Sequence, residues 1–284
     1  MEGDDETYIL LLLSDSNLPT GSFVASAGFE SYLKHGFPAG SDSKSSETRT
    51  IAFIQDSLET YARSALPFVS DAHRAVHEFK KSIDATNEDT DASLTMEELL
   101  RSLSSLDRLY HDMTLNHPAR RASMAQGVAL LTLFTKGFSP PPSLKASLEP
   151  KKRAISISTI VDKFKTMIRK EETTGHLPIC WGLLTGTLNL SLERSQYLHL
   201  FLHARSLLSA SVRLNHVGPY GAQQLLLHAV RPLVEAETSQ CRNMRTGILE
   251  EDIDELTNGP ATTWPLGEIL AGRHDLQHSR IFNS

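Results

Sequence analysis

Every strong apolar period in this chain is close to 3.6 residues. Ile51, Ile54, Leu58 and Tyr61 recur at three- or four-residue steps, and so do Leu99, Leu103, Leu106 and Tyr110. That spacing lines one face of an α-helix, and no segment shows the two-residue alternation of a half-buried strand. The pattern restricts the chain to an all-α architecture: one globular multi-helix domain over residues 1–284, with roughly eight to ten helices. No internal repeat is present. Three stretches break the helical pattern and read as mobile insertions: the polar, acidic 84–95; 137–152, with Pro140-Pro141-Pro142 and Pro150; and 247–265, with Gly259-Pro260.

Between these breaks the helices can be placed. One covers Ile51 to Ala65, and Pro67 then starts a second, from Phe68 to about Ile83. Asn116-His117-Pro118 opens a helix over Ala119 to Lys136, since proline is tolerated in a first turn. Ile155 to Lys170 is amphipathic. His176 to Leu192 is apolar almost all round, which predicts burial, and Gly182 and Gly186 share a face that allows close approach to a neighbour. Ser195 to Leu214 is the longest helical pattern, with Ser209, Ala210 and Ser211 small enough for a tight crossing. The chain turns at Gly218-Pro219-Tyr220-Gly221 and resumes helix near Ala222.

Composition limits the class of function. The 284 residues carry a net charge of −6, so the basic footprint of a nucleic-acid binder is missing. Lys151-Lys152-Arg153 reads as a solvated loop. Cys180 and Cys241 cannot build a disulfide framework, which suits a reducing, cytoplasmic setting. The acidic opening MEGDDE is the opposite of a signal peptide, and the apolar run behind it is too short to span a membrane.

The opening stretch, Leu10 to Glu30, reads as helix, tight polar loop, helix. Ser14, Asp15, Ser16 and Asn17 favour caps and turns. Pro19 fixes φ, Gly21 accepts positive φ, and Ser22 or Ser26 is placed to cap a helix reaching about His35. Val24 stands where a nucleophile elbow needs glycine, and no Gly-Lys pair supplies a phosphate loop. The pairs His73/His77, His199/His203 and His274/His278 have metal-ligand spacing on a helix, but none has a carboxylate or cysteine in its own segment to complete a site. The residues therefore point to no catalytic group, no metal site and no cofactor. Arg205 and Arg213 sit in an apolar helix and need partners, which suits structural or interface use. Two alternatives are a nickel carrier using the histidine pairs and a helical enzyme using Glu30 and a histidine.

Five blocks resemble the UreF family of urease accessory proteins. Ser14, Leu18, Pro19, Gly21, Phe23, Ser26, Gly28, Phe29 and Glu30 match the family opening S-[DP]-x-x-L-P-x-G-x-[FY]-x-x-S-x-G-[LF]-E. Arg120, Ser123, Gln126, Gly127, Leu130 and Leu131 are similar to R-x-x-S-x-x-Q-G-x-x-L-L. Gly175-His176 with Pro178 and Trp181-Gly182 resembles G-H-x-P-x-x-[FW]-G. The helix from Tyr197 to Leu214 resembles the long central helix. Arg273-His274 followed by Ser279-Arg280-Ile281-Phe282-Asn283-Ser284 is similar to R-H-x-x-x-x-S-R-L-F-x-S. One block departs: of the bacterial G-Q-T-D-G-Q, only Gly218 and Gln223 remain, as in a eukaryotic-type member.

The resemblance implies a non-enzymatic, all-helical, homodimeric chaperone. It would bridge the UreD/UreH accessory protein and the GTPase UreG, and act on apo-urease through that complex in GTP-dependent nickel insertion. Tyr220 and Gln223, in the block that departs, are partner-binding candidates. The resemblance also implies that Arg273, His274, Ser279, Arg280, Ile281 and Phe282 form a tail that orders on UreD/UreH. Arg205 and Arg213 join these as partner-binding candidates. Ser14, Pro19, Gly21, Ser26, Gly28 and Glu30 are expected to be a structural loop that positions the second helix.

Overall fold

A 40-residue helix, α3 (Ser46–Ala85), runs through the middle of the protein and is shared by two apolar cores. The structure is a computed structural model that describes residues 2–20, 22–35, 45–85, 89–138, 152–249 and 258–284. Gly21 and the central parts of the three expected insertions (86–88, 139–151 and 250–257) lie outside the described residues. Among the described residues all regular structure is helical and no strand occurs, as the period required.

The remaining helices are α1 (Glu2–Leu13), α2 (Phe29–Lys34), α4 (Asp89–Met113), α5 (His117–Leu133), α6 (Lys152–Arg169), α7 (Leu177–Thr187), α8 (Leu192–Arg213), α9 (Pro219–Leu225), α10 (Arg231–Cys241) and α11 (Pro265–Gly272). A π-turn, Leu226–Val230, joins α9 to α10. The second half of α3 buries Val69, Ala72 and Val76 against Ile179 and Leu183 of α7 and Leu103 of α4. Its first half buries Phe53, Ile54 and Leu58 with Leu200, Ala204 and Leu207 of α8, Val234 of α10 and Leu270 of α11.

Pro67 does not start a helix; it lies inside α3. A proline in a helix interior leaves the carbonyl four residues earlier without its donor. That carbonyl belongs to Arg63, and the backbone N–H of Ala261 donates to it at 3.3 Å. Residues 258–265 are therefore packed against α3, with Thr263 N–H on Thr60 Oγ1 and the Trp264 ring edge-on to Phe53 at 5.2 Å.

Helix α7 is buried along its whole length, and both its ends are met by charges of the right sign. Asp107 of α4 accepts the N–H groups of Thr174, Gly175 and His176 at the N-terminal end. Lys80 of α3 donates to the carbonyls of Gly186 and Thr187 at the other. An anion at the start and a cation at the end complement the helix dipole. Gly182 and Gly186 make the crossing with α3 possible: a Cβ at Gly182 would fall 2.6 Å from the carbonyl oxygen of Val69.

At the amino end, Glu6 of α1 accepts the N–H of Ser191 at 2.8 Å and pairs with Arg194 at 3.0 Å, fastening α1 to the start of α8. The cap of α2 is Gly28, at φ 85°, rather than Ser22 or Ser26, and no side chain caps this helix. Asn116 does cap α5, accepting from the N–H of Ala119. Helix α9 begins at Pro219, with Gly218 as its cap, three residues earlier than expected.

Candidate functional site

The opening loop, α8 and the C-terminal tail come together around a cleft of about 960 Å³. The loop leaves α1 through Ser14, whose hydroxyl donates to Leu11 carbonyl, and turns on Asp15, whose carboxylate accepts the N–H of Asn17. Two arginines of α8, two helical turns apart, hold the loop by its carbonyls: Arg205 donates to Ser14 and Arg213 to Phe23. The Arg213 guanidinium also lies 3.8 Å from the centroid of the Phe23 ring and 4.3 Å from that of Phe282. The partners that both arginines required are thus within the chain.

The cleft floor pairs α3 with α8. Tyr61 hydroxyl is 2.9 Å from His199 Nε2, and Ser57 Oγ is 2.9 Å from His203 Nε2. The Tyr61 ring stacks on both imidazoles. Burial pushes His199 down to about 3 and His203 down to about 4, so both rings are neutral near pH 7. Ser57 was not singled out from the sequence, and Tyr61 was read only as part of an apolar stripe. Their four-residue spacing on α3 mirrors that of His199 and His203 on α8, and this was the available signal.

On the far side of the loop lies the tail. The Glu30 carboxylate is fully buried and accepts the N–H groups of Ile281 at 2.8 Å and Phe282 at 3.2 Å; Lys34 pairs with it at 3.1 Å. Burial alone would raise this carboxyl. The donors from Ile281, Lys34 and Phe282 outweigh it and hold the group below its ordinary value of 4.5. Ser26 is buried too, and its N–H and hydroxyl both donate to the carbonyl of Ser284. His274 Nε2 donates to Phe282 carbonyl, Lys34 to Ser279 carbonyl, and Arg121 grips Asp275 through two hydrogen bonds of 3.0 and 2.9 Å. Arg280 pairs with the same Asp275 at 2.6 Å.

This corrects the expectation of a tail that orders only on a partner. Phe282 is a core residue at 2 % exposure and His274 is buried, because Glu30, Ser26 and His274 serve the tail's backbone within the chain. Ile281 points outward at 54 % exposure, and Arg273, Arg280, Tyr220 and Gln223 also face out. Of the loop residues, Pro19 is exposed and Gly21 lies outside the described residues.

The structure places no third ligand beside any histidine pair: among the described residues no group of three or more His, Cys, Asp or Glu is placed to hold a metal ion. His73 Nε2 meets Leu190 carbonyl instead. Nor is any helix of the described residues long and apolar enough to cross a membrane.

Fold and site together define an all-helical scaffold built round a long central helix, its opening loop and tail stitched together beside one cleft. A UreF family model matches residues 44–230, and the chain belongs to the UreF family. Urease accessory protein 6 of Cryptococcus neoformans is 41 % identical over 98 % of this chain and 97 % of its own length. Urease accessory protein F of Arabidopsis thaliana is 29 % identical over 96 % and 90 %, and a UreF-like protein of Schizosaccharomyces pombe 27 % over 100 % and 99 %.

Proposed function

We propose that this protein is a non-enzymatic urease accessory factor that works in the cytoplasm as a homodimer. It bridges the UreD/UreH accessory protein and the GTPase UreG, and the assembly docks on apo-urease and couples GTP hydrolysis to nickel insertion. The observation that carries this reading is the match to a urease accessory protein at 41 % identity over 98 % of this chain. The geometry is compatible with it in one respect: Tyr220 is 86 % exposed, and Gln223, Arg273, Arg280 and Ile281 lie on the surface, free to meet a second protein.

Co-expression of the full chain with UreD/UreH, UreG and apo-urease tests the proposal. The expected result is a co-purifying complex and urease activity that needs this chain, nickel and GTP together. Activation of urease to the same level without the chain, or failure to co-purify with either partner, would overturn it.

A further inference from the structure

A second pair of imidazoles links the surface to the cleft wall. His111, near the end of α4, is half-buried, and its Nδ1 lies 3.1 Å from Nε2 of the fully buried His176. His176 Nδ1 lies 3.1 Å from Oγ of Ser123 on α5, which also accepts the N–H of Leu177 at 3.1 Å. Ser123 and Tyr110 both line the cleft. The hydroxyls of Ser123 and Thr114 act on that of Tyr110 as hydrogen-bond partners, and the Tyr110 ring stands edge-on to His176 at 5.0 Å.

This chain has two arrangements, because a neutral imidazole holds one N–H and one bare nitrogen. In the first, His176 Nε2–H donates to a bare Nδ1 of His111, and the Ser123 hydroxyl donates to His176 Nδ1. In the second, His176 Nδ1–H donates to Ser123 Oγ, and Nε2 accepts from Nδ1–H of His111. The Ser123 oxygen then accepts from both Leu177 and His176, so its own hydrogen turns to Tyr110 and the cleft. A doubly protonated His111 allows only the second, since the first would set two N–H groups against each other across 3.1 Å.

We propose that protonation of His111 at the surface reverses this chain and switches Ser123 from donating to His176 to donating into the cleft, so that the cleft wall reads the pH outside. The surroundings make His111 the ring that takes the proton. Burial pushes His176 down to about 4; Asp107 of α4 opposes this, while His111 and Arg120 of α5 add to it. Asp107 is engaged by the N–H groups of Thr174, Gly175 and His176, Arg120 by the backbone carbonyl of His111, and Asp112 faces Arg108. Burial keeps Cys180 a thiol, and Glu268 of α11 acts on Tyr110.

The test is NMR of the full chain, labelled with 15N in its histidine rings and 13C at tyrosine Cζ, from pH 8 to pH 5. As His111 gains its second ring proton, the two ring-nitrogen shifts of His176 should exchange places, and the Tyr110 Cζ shift should move with them. His111→Gln, whose amide takes up no proton, should hold His176 in one tautomer throughout. Ser123→Ala should abolish the pH-dependent shift at Tyr110. A His111 that stays neutral to pH 5, a single His176 tautomer while His111 titrates, the same exchange in His111→Gln, or a Tyr110 shift that survives Ser123→Ala would overturn the proposal.

Discussion

Ala261 supplies the hydrogen bond that Pro67 withholds. Its N–H reaches the carbonyl of Arg63, the group that residue 67 of an ordinary helix would serve. Pro67→Ala restores a local donor that competes for that carbonyl. The expected outcome is a change in urea stability of under about 1 kcal/mol, with faster hydrogen exchange at the Ala261 amide. Unaltered exchange there would mean that the contact does not hold the 258–265 segment.

The α3–α7 crossing predicts opposite behaviour at two glycines. A Cβ at Gly182 meets the Val69 carbonyl oxygen at 2.6 Å, and backbone cannot swing aside. Gly182→Ala should cost about 1–3 kcal/mol in chemical denaturation. At Gly221, inside α9, a Cβ meets only Val217 at 3.4 Å. Gly221→Ala should be neutral or stabilise by up to about 1 kcal/mol, because alanine is the better helix former.

Glu30→Gln tests the tail clamp with almost no change in shape. The amide keeps an acceptor oxygen but loses the charge that strengthens both backbone bonds and pairs with Lys34. The expected loss is about 1–3 kcal/mol in urea denaturation, with exchange at Ile281 and Phe282 rising more than exchange in α3. Equal acceleration throughout would show the tail to be no separate unit.

The buried imidazoles predict acid sensitivity. His199 and His203 titrate near 3 and 4 in the fold, against 6.5 for an ordinary histidine. Their contribution is complete above pH 6.5. As the pH falls below that, the unfolded chain takes up protons first, and stability drops until the folded-state values are reached. Each group contributes a slope of up to about 1.4 kcal/mol per pH unit. Glu30, held below 4.5, acts in the same direction at lower pH, since its contribution is lost as the pH falls through its depressed value. Urea midpoints measured from pH 7 to pH 5 should fall, and His199→Gln should flatten the fall. A slope unaffected by His199→Gln would contradict the neutral, buried assignment.

What could be read in the residues followed from local periodicity. The stripes of α3 and α4, the start of α5 at Asn116-His117-Pro118 and the two glycines of α7 depend on neighbours within a turn or two, and the structure has each where the spacing put it. What could not be read depends on distant partners. The ends of α7 are met by Asp107 and Lys80, 69 residues from His176 and 106 from Gly186. The reading at Pro67 failed for the same reason, since its compensating donor comes from the far end of the chain. The tail was read as awaiting a partner because nothing local shows that Glu30 turns inward to receive it. For the cleft, the histidine pair and both arginines stood out by type, but only their tertiary neighbours reveal what they hold.

The long α3 has a consequence for how the protein comes apart. At 1.5 Å per residue its 40 residues span about 60 Å, and each core is built on one half of it. Fraying the rod at its middle exposes apolar surface in both cores at once. Melting should therefore be close to all-or-none, with calorimetric and van't Hoff enthalpies in agreement. A proteolytic fragment that keeps only one half of the rod would have no partner for a full core and should not refold. The two halves of the molecule are one cooperative unit because they share a single axle.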